Sequence, residues 1–186
     1  MKKDFPEKNR FLYIGEIRKE KKIEFIIDNI ANTDINLTIA GKPIQLYGKK
    51  IEEKYKRNKI KNIDFVFRFL SGKEYLQKIH NHSFVLISRE KIKGFHSSGP
   101  MLDSLLCGRP FIAPDYFPFN YYVKKYNVGL LYEPENNKSF IKTIKRAKDL
   151  GPKYFEKNIT NFVKKRYDFN KLSEKMEYIV RKHFNI

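Results

Sequence analysis

Short apolar runs alternate along this chain with stretches whose apolar residues recur every three or four positions. That alternation predicts strand followed by helix from one end to the other. Arg10–Gly15 (Arg-Phe-Leu-Tyr-Ile-Gly) is an apolar run closed by glycine, as a buried strand should be. Ile23, Ile26, Ile27 and Ile30 then fall at helical spacing, with Lys19, Lys21, Lys22, Glu24 and Asp28 in the other positions. Ile35, Leu37 and Ile39 alternate and stop at Ala40-Gly41, a second strand. Lys49–Asn58 is so heavily charged that it reads as a surface helix, and Ile63–Leu70 is a third strand. Lys73–Asn81 is a short helix behind Ser71-Gly72, Ser83–Ser88 a fourth strand, and Pro100–Cys107 a helix ended by Gly108. Pro110–Pro114 and Val128–Tyr132 are the fifth and sixth strands. Helical stretches at Lys138–Leu150, Lys153–Lys165 and Asn170–Phe184 close the chain, the last with Leu172, Met176, Ile179 and Val180 on one face.

Strands separated by helices imply βαβ units, a parallel sheet and right-handed crossovers. No repeat or low-complexity linker interrupts the order, so residues 1–186 read as one α/β domain, a doubly wound parallel sheet of about six strands flanked by helices. Ligands of such sheets lie beyond the carboxyl ends of the strands, at the point where strand order reverses. Here that means just after Gly15, Gly41, Leu70, Ser88 and Pro114.

Composition narrows the class without naming a function. The chain has 39 Lys plus Arg against 21 Asp plus Glu, a net charge of +18, with 41% hydrophobic and 15% aromatic residues. That is too apolar for a disordered basic tail. No apolar run reaches the ~18–20 residues that span a bilayer, and Met1-Lys2-Lys3-Asp4-Phe5-Pro6 does not read as a secretory leader. A single cysteine, Cys107, and no Cys/His cluster at zinc spacing point to the reducing cytoplasm and to no metal site. The positive charge suits nucleic acid or an anionic membrane. Yet 30 of the 39 cations are lysine, alongside abundant Ile, Asn, Phe and Tyr. A nucleic-acid reader favours the planar fork of arginine, so a solvated lysine surface is the simpler reading.

One stretch breaks the lysine pattern. Gly94–Val123 contains none, and it holds a Ser97-Ser98-Gly99-Pro100 turn leading into a helix, with Asp103 one turn inside. Main-chain N–H groups and the positive end of the helix dipole there favour an anion such as phosphate. An acidic side chain in that place accepts hydrogen bonds from ribose hydroxyls. A serine-capped helix packed between two strands accounts for the same residues.

Met101-Leu-Asp-Ser-Leu-Leu-Cys-Gly-Arg-Pro-Phe-Ile-Ala-Pro-Asp115 resembles the donor-binding signature of the GT-B glycosyltransferases of group 1. Other pieces fall in the family's order. Phe11-Leu-Tyr-Ile-Gly15 followed by Lys21 resembles its first strand, glycine and lysine; Leu37–Gly41 its second strand; Leu70-Ser71 with Glu74-Tyr75-Leu76 its third loop and helix; Phe84–Ser88 its fourth strand. Gly129-Leu-Leu-Tyr-Glu-Pro134 and Tyr167-Asp-Phe-Asn resemble its closing elements, so the likeness runs from about Arg10 to Ile186.

The resemblance implies a Rossmann-like half of a GT-B fold that binds a nucleotide-diphosphate sugar, UDP- or GDP-linked, as co-substrate without a further cofactor. It implies transfer of the sugar to a glycan or lipid-linked acceptor in surface polysaccharide or glycoconjugate assembly. Lys21 would meet the diphosphate and Asp103 the ribose, behind Gly15 at the end of the first strand. Ser97, Ser98 and Gly99 would meet the phosphates, and His96 the sugar or a phosphate. The family's first glutamate has no counterpart eight residues before Asp103, where Phe95 stands; Glu90 is the nearest carboxylate, or a solvated loop residue. Glu16 occupies the place of the family's arginine, and Arg18 could reach back to replace its charge. Arg68 stands where the pattern often has glycine near the base. The family's acceptor domain has no counterpart in this sequence, so a partner domain or subunit is expected to supply it. The alternative is a non-catalytic basic module that binds an anionic membrane at its inner face, a partner protein or nucleic acid.

Overall fold

The computed structural model describes residues 5–57, 60–90 and 98–167, with 173, 176, 177 and 181 beyond them. Six strands form a single parallel sheet: β1 (Arg10–Ile14), β2 (Asn36–Ala40), β3 (Ile63–Val66), β4 (Phe84–Leu86), β5 (Phe111–Pro114) and β6 (Gly129–Tyr132), in the order β3-β2-β1-β4-β5-β6. β1 pairs with β2 through Arg10↔Asn36 to Ile14↔Ala40, and with β4 through Phe11↔Phe84 and Leu12↔Val85. The chain therefore builds outward from β1 to one edge, returns to the middle and builds out to the other edge.

Among the described residues the strands are connected and covered by α1 (Ile23–Ile30), α2 (Gln45–Arg57), α3 (Gly72–His80), α4 (Gly99–Leu106), α5 (Phe119–Tyr126), α6 (Asn137–Leu150) and α7 (Glu156–Arg166). Phe11, Leu12, Phe84, Val85, Phe111, Ile112 and Ala113 are fully buried. A sheet covered on both faces demands such unbroken apolar runs. α1 turns Ile23, Ile26, Ile27 and Ile30 inward, all with no exposed surface, and packs beside α6. On the other side α3 meets β1 and α4, and α4 meets α7.

The ends of the helices follow from local chemistry. Ser71 accepts from the Glu74 N–H while Glu74 accepts from the Ser71 N–H, a reciprocal cap for α3. Asn136 caps α6 by accepting from the Ser139 N–H at 3.0 Å. The Arg109 guanidinium, only 1% exposed, donates from Nε and Nη2 to the His80 carbonyl at the carboxyl end of α3. A cation there complements the helix dipole.

Three expectations change. The third strand ends at Val66 rather than Leu70, because the Arg68 N–H turns back to the Val66 carbonyl at 3.0 Å. The charged segment after β2 begins at Gln45, and it is anchored inward by Ile51 and Tyr55, 2% and 3% exposed. α5 has no expected counterpart: its sequence, Phe-Asn-Tyr-Tyr-Val-Lys-Lys-Tyr, is aromatic-rich and has no side-chain cap. The helix expected over Asn170–Phe184 falls outside the described residues save for four single positions.

Candidate active site at the strand-order switch

β1 and β4 are neighbours whose crossovers leave in opposite directions, so a crevice opens beyond their carboxyl ends. A cavity of about 330 Å³ occupies it, walled by Tyr13 to Glu16 and Lys21 after β1, by Leu86 to Ser88 after β4, by Ser98 to Pro100 and Asp103 of α4, and by Tyr75 of α3. A second cavity of about 260 Å³ adjoins it through Ser88, and is lined by Lys22, Arg89, Glu90, Tyr132 and Glu135. Two larger hollows lie elsewhere. One of about 560 Å³ sits at the amino ends of the strands around Arg10, Asp64 and His82; one of about 780 Å³ runs along α6 beside Lys142, Lys145 and Arg146. Neither has a helix amino terminus, a glycine turn and a held carboxylate converging on it, as the switch-point cavity does.

Gly15 takes φ +135°, a conformation L side chains rarely adopt, and a Cβ on it would come 3.6 Å from Pro100. Beside it, Gly41 has φ +152°, and a Cβ there would fall 1.8 Å from the Gly15 carbonyl oxygen. The two glycines let β1 and β2 end side by side, leaving bare backbone at the mouth of the crevice. The loop after Gly15 is braced by the buried Tyr13, whose hydroxyl donates to the Glu16 carbonyl at 2.9 Å. Burial pushes the Tyr13 pKa well above that of a free phenol.

The amino end of α4 forms the opposite wall. Ser98 Oγ caps the helix by accepting from the Met101 N–H at 3.4 Å, and Pro100 carries no N–H. Of the first three helical positions, Gly99 thus retains the donor for an anion. Ser98 Oγ accepts within its own helix and keeps its O–H as a donor on the cavity wall. Asp103, one turn in, accepts from the Tyr75 hydroxyl at 2.9 Å. Burial, then the Asp103 charge, raise the Tyr75 pKa, which keeps the phenol a donor.

The cations divide into paired and unpaired. Arg18 lies within 2.8 Å of Glu20 and 3.4 Å of Glu16, so its charge is met inside the loop. Lys22 pairs with Glu135 and stands 3.7 Å from Glu90. Glu90 therefore belongs to the adjoining cavity, beside Lys22, and away from Asp103. Lys21 lines the switch-point cavity; burial first, then Arg89 and Arg18, lower its pKa. Arg68 forks onto Glu74, with Nη2 at 2.6 Å, at the capped end of α3. His96 and Ser97 lie outside the described residues.

The structure thus brings together Gly15, Lys21, Ser98, Gly99 and Asp103, and sets Arg18 and Glu90 against other partners. Tyr75, Ser88 and Arg89 join the site without having been singled out from sequence. Tyr75 stood within the string matched to the family's third helix; nothing in its spacing tied it to Asp103. Among the described residues, no three His, Cys, Asp or Glu side chains stand close enough to hold a metal ion. No helix among them is long and apolar enough to cross a membrane.

An open six-stranded parallel sheet with its crevice at the β1/β4 switch defines a Rossmann-like domain, and solved glycosyltransferase structures share it. Sucrose-phosphate synthase from Thermosynechococcus elongatus superposes with a TM-score of 0.74 at 20% identity, over 100% of this chain and 47% of its own. The C-terminal domain of a glycosyl transferase group 1 family protein (LpcC) from Francisella tularensis gives 0.68 at 19%, over 88% of each chain. Anabaena HepE in complex with UDP-glucose gives 0.73 at 12%, over 94% and 49%. This chain spans about half the length of the synthase and of HepE. No curated protein matches its sequence. Residues 2–166 match the family model for glycosyl transferases group 1, and the chain belongs to that family.

Proposed function

We propose that this chain is the donor-binding half of a glycosyltransferase, taking a UDP- or GDP-linked sugar and passing the sugar to a glycan or lipid-linked acceptor in surface polysaccharide or glycoconjugate assembly. The observation that carries this reading is the Asp103 carboxylate, held by Tyr75 on the wall of a cavity that also contains Lys21 and the Gly99 end of α4. A carboxylate accepts from two vicinal ribose hydroxyls, while a helix amino end and a lysine suit the diphosphate. A relative of like fold, HepE, has been seen with UDP and with UDP-glucose.

The chemistry these residues contribute is positional. Lys21 and the Gly99 N–H stabilise negative charge on the diphosphate, including the charge that develops as the sugar departs. An open crevice on one domain neither positions an acceptor nor excludes water. A second domain, on the same polypeptide or a partner, would close it. The protein acts without a resident cofactor, on the cytoplasmic side of the membrane.

The test is thermal stabilisation by a panel of UDP-, GDP- and ADP-sugars. A ligand present at 100 times its dissociation constant stabilises by about 2.7 kcal/mol. Stabilisation by at least one nucleotide sugar, lost in Asp103→Ala, supports the reading; a flat panel at millimolar concentration defeats it. A second reading draws on Lys138, Lys142, Lys145 and Arg146, exposed on α6 beside a hollow floored by Ile141. That face would sit on an anionic membrane, with or without the transferase role. Vesicle binding that fades with salt and ignores Asp103 would identify it.

A further inference from the structure

We infer that Arg89 acts with Lys21 as a two-cation clamp on the diphosphate, one cation from the segment that follows each strand flanking the switch point; the inference rests on the nucleotide-sugar reading above. Two hydrogen bonds stitch the segment leaving β4 to the turn after β1. Ser88 Oγ donates to the Lys22 carbonyl at 3.2 Å, and the Glu90 N–H donates to the Glu20 carbonyl at 2.8 Å. Arg89 lies between the two residues on one side of this seam, and Lys21 between the two on the other. The Tyr116 hydroxyl fixes the Arg89 main chain further, donating to its carbonyl at 2.6 Å.

The charges around the seam are unevenly met. Arg18 has Glu16 and Glu20, and Lys22 has Glu90 and Glu135. Among the described residues, neither Lys21 nor Arg89 makes an ion pair with a carboxylate. Lys21 is half-buried in the larger cavity, Arg89 lines the adjoining one, and Ser88 belongs to both. Burial and the Arg89 charge both lower the Lys21 pKa, with Glu20 and Glu16 opposing more weakly. Two like charges held at one seam repel until something negative lies between them.

A pyrophosphate linkage answers that arrangement better than a single phosphate does. It offers two negative centres to two cations, and the Arg89 fork can take two oxygens of one phosphate. Sequence supports the pairing: Glu16 stands directly after Gly15, so the loop after β1 supplies no unpaired arginine, and β4 supplies one from across the crevice.

Calorimetric titration of the chain with UDP, GDP and ADP, and with the matching monophosphates, decides it. The expected result is that Arg89→Ala weakens the preferred diphosphate about tenfold or more and barely changes the monophosphate, with Arg89→Lys recovering part of the loss. Asp103-dependent binding with an unchanged diphosphate-to-monophosphate ratio in Arg89→Ala overturns the clamp alone. A folded wild-type chain that binds none of the six overturns the nucleotide reading and the clamp with it. In the ligand-free protein, NMR titration of Lys21 should show its pKa rising in Arg89→Gln. An unmoved Lys21 refutes the juxtaposition, whatever the binding data show.

Discussion

Tyr75 on α3 donates its hydroxyl hydrogen to Asp103 Oδ2 on α4 at 2.9 Å, joining two helices that flank the switch-point crevice. One carboxylate oxygen is thereby occupied and the side chain is held in one direction, leaving the other oxygen and the remaining lone pair for a ligand. α3 thus sets the aim of a group that α4 presents.

Tyr75→Phe keeps the ring and removes the bond. A hydrogen bond to a charged group is worth about 1.5–3 kcal/mol, though part of the loss is recovered when water solvates the freed carboxylate. Nucleotide-sugar affinity should fall about 3- to 10-fold in Tyr75→Phe and further in Asp103→Ala. The double variant should lose little more than Asp103→Ala alone, because Tyr75 acts through Asp103. Calorimetry on the four proteins checks this, and additive losses would show that Tyr75 has a separate role.

Gly41→Ala should destabilise the domain by about 3 kcal/mol or more. Its Cβ would fall 1.8 Å from the Gly15 carbonyl oxygen, at a φ of +152°. Gly72→Ala is the matched control, since a Cβ there meets nothing within 4 Å at the first position of α3. It should be neutral or slightly stabilising. Urea denaturation of both variants provides the comparison.

His82 makes stability depend on pH. The Lys78 carbonyl can only accept, so Nδ1 carries the proton and donates to it at 2.6 Å, while Nε2 accepts from the Thr38 hydroxyl at 2.9 Å. Burial lowers the His82 pKa from 6.5 to about 4, the Lys78 carbonyl opposing. The unfolded chain therefore takes up a proton that the folded one refuses. His82 contributes its stability above pH 6.5 and loses it as pH falls towards 4, by at most about 3 kcal/mol. Urea midpoints measured across that range should drop in the wild type and drop less in His82→Gln.

Glu74 adds a second, lower window. Pairing with Arg68 and the bonds from Ser71 bring its pKa from 4.5 down to about 2. The contribution is intact above pH 4.5 and lost as pH falls towards 2. Both groups are exposed, so the pair itself adds little; the cap carries the larger share. Ser71→Ala should cost about 1 kcal/mol at neutral pH, read from the same denaturation curves.

The strand-helix order was legible because each element repeats one period, and Asp103 was legible because the turn before it and the Gly-Arg-Pro after it form a contiguous string. α5 was not, since its aromatic residues mimic a strand and its start lacks a polar cap. Tyr75 and Arg89 escaped for another reason. Tyr75 reaches a partner 28 positions away, and Arg89 faces a lysine on a different βα unit. A linear pattern records which face a residue takes within its own element, but not which residue stands opposite it.

The pairing of β1 with β4, Phe11 against Phe84, has a consequence for how the crevice comes into being. Local contacts can assemble β1, β2 and β3 early, but the crevice needs a closure across the whole first half of the chain. A fragment ending before β4 would lack Ser88, Arg89 and all of α4, so it would have no ligand to gain from. On the nucleotide-sugar reading proposed above, the stability a ligand adds would go only to those molecules in which both halves of the sheet have met.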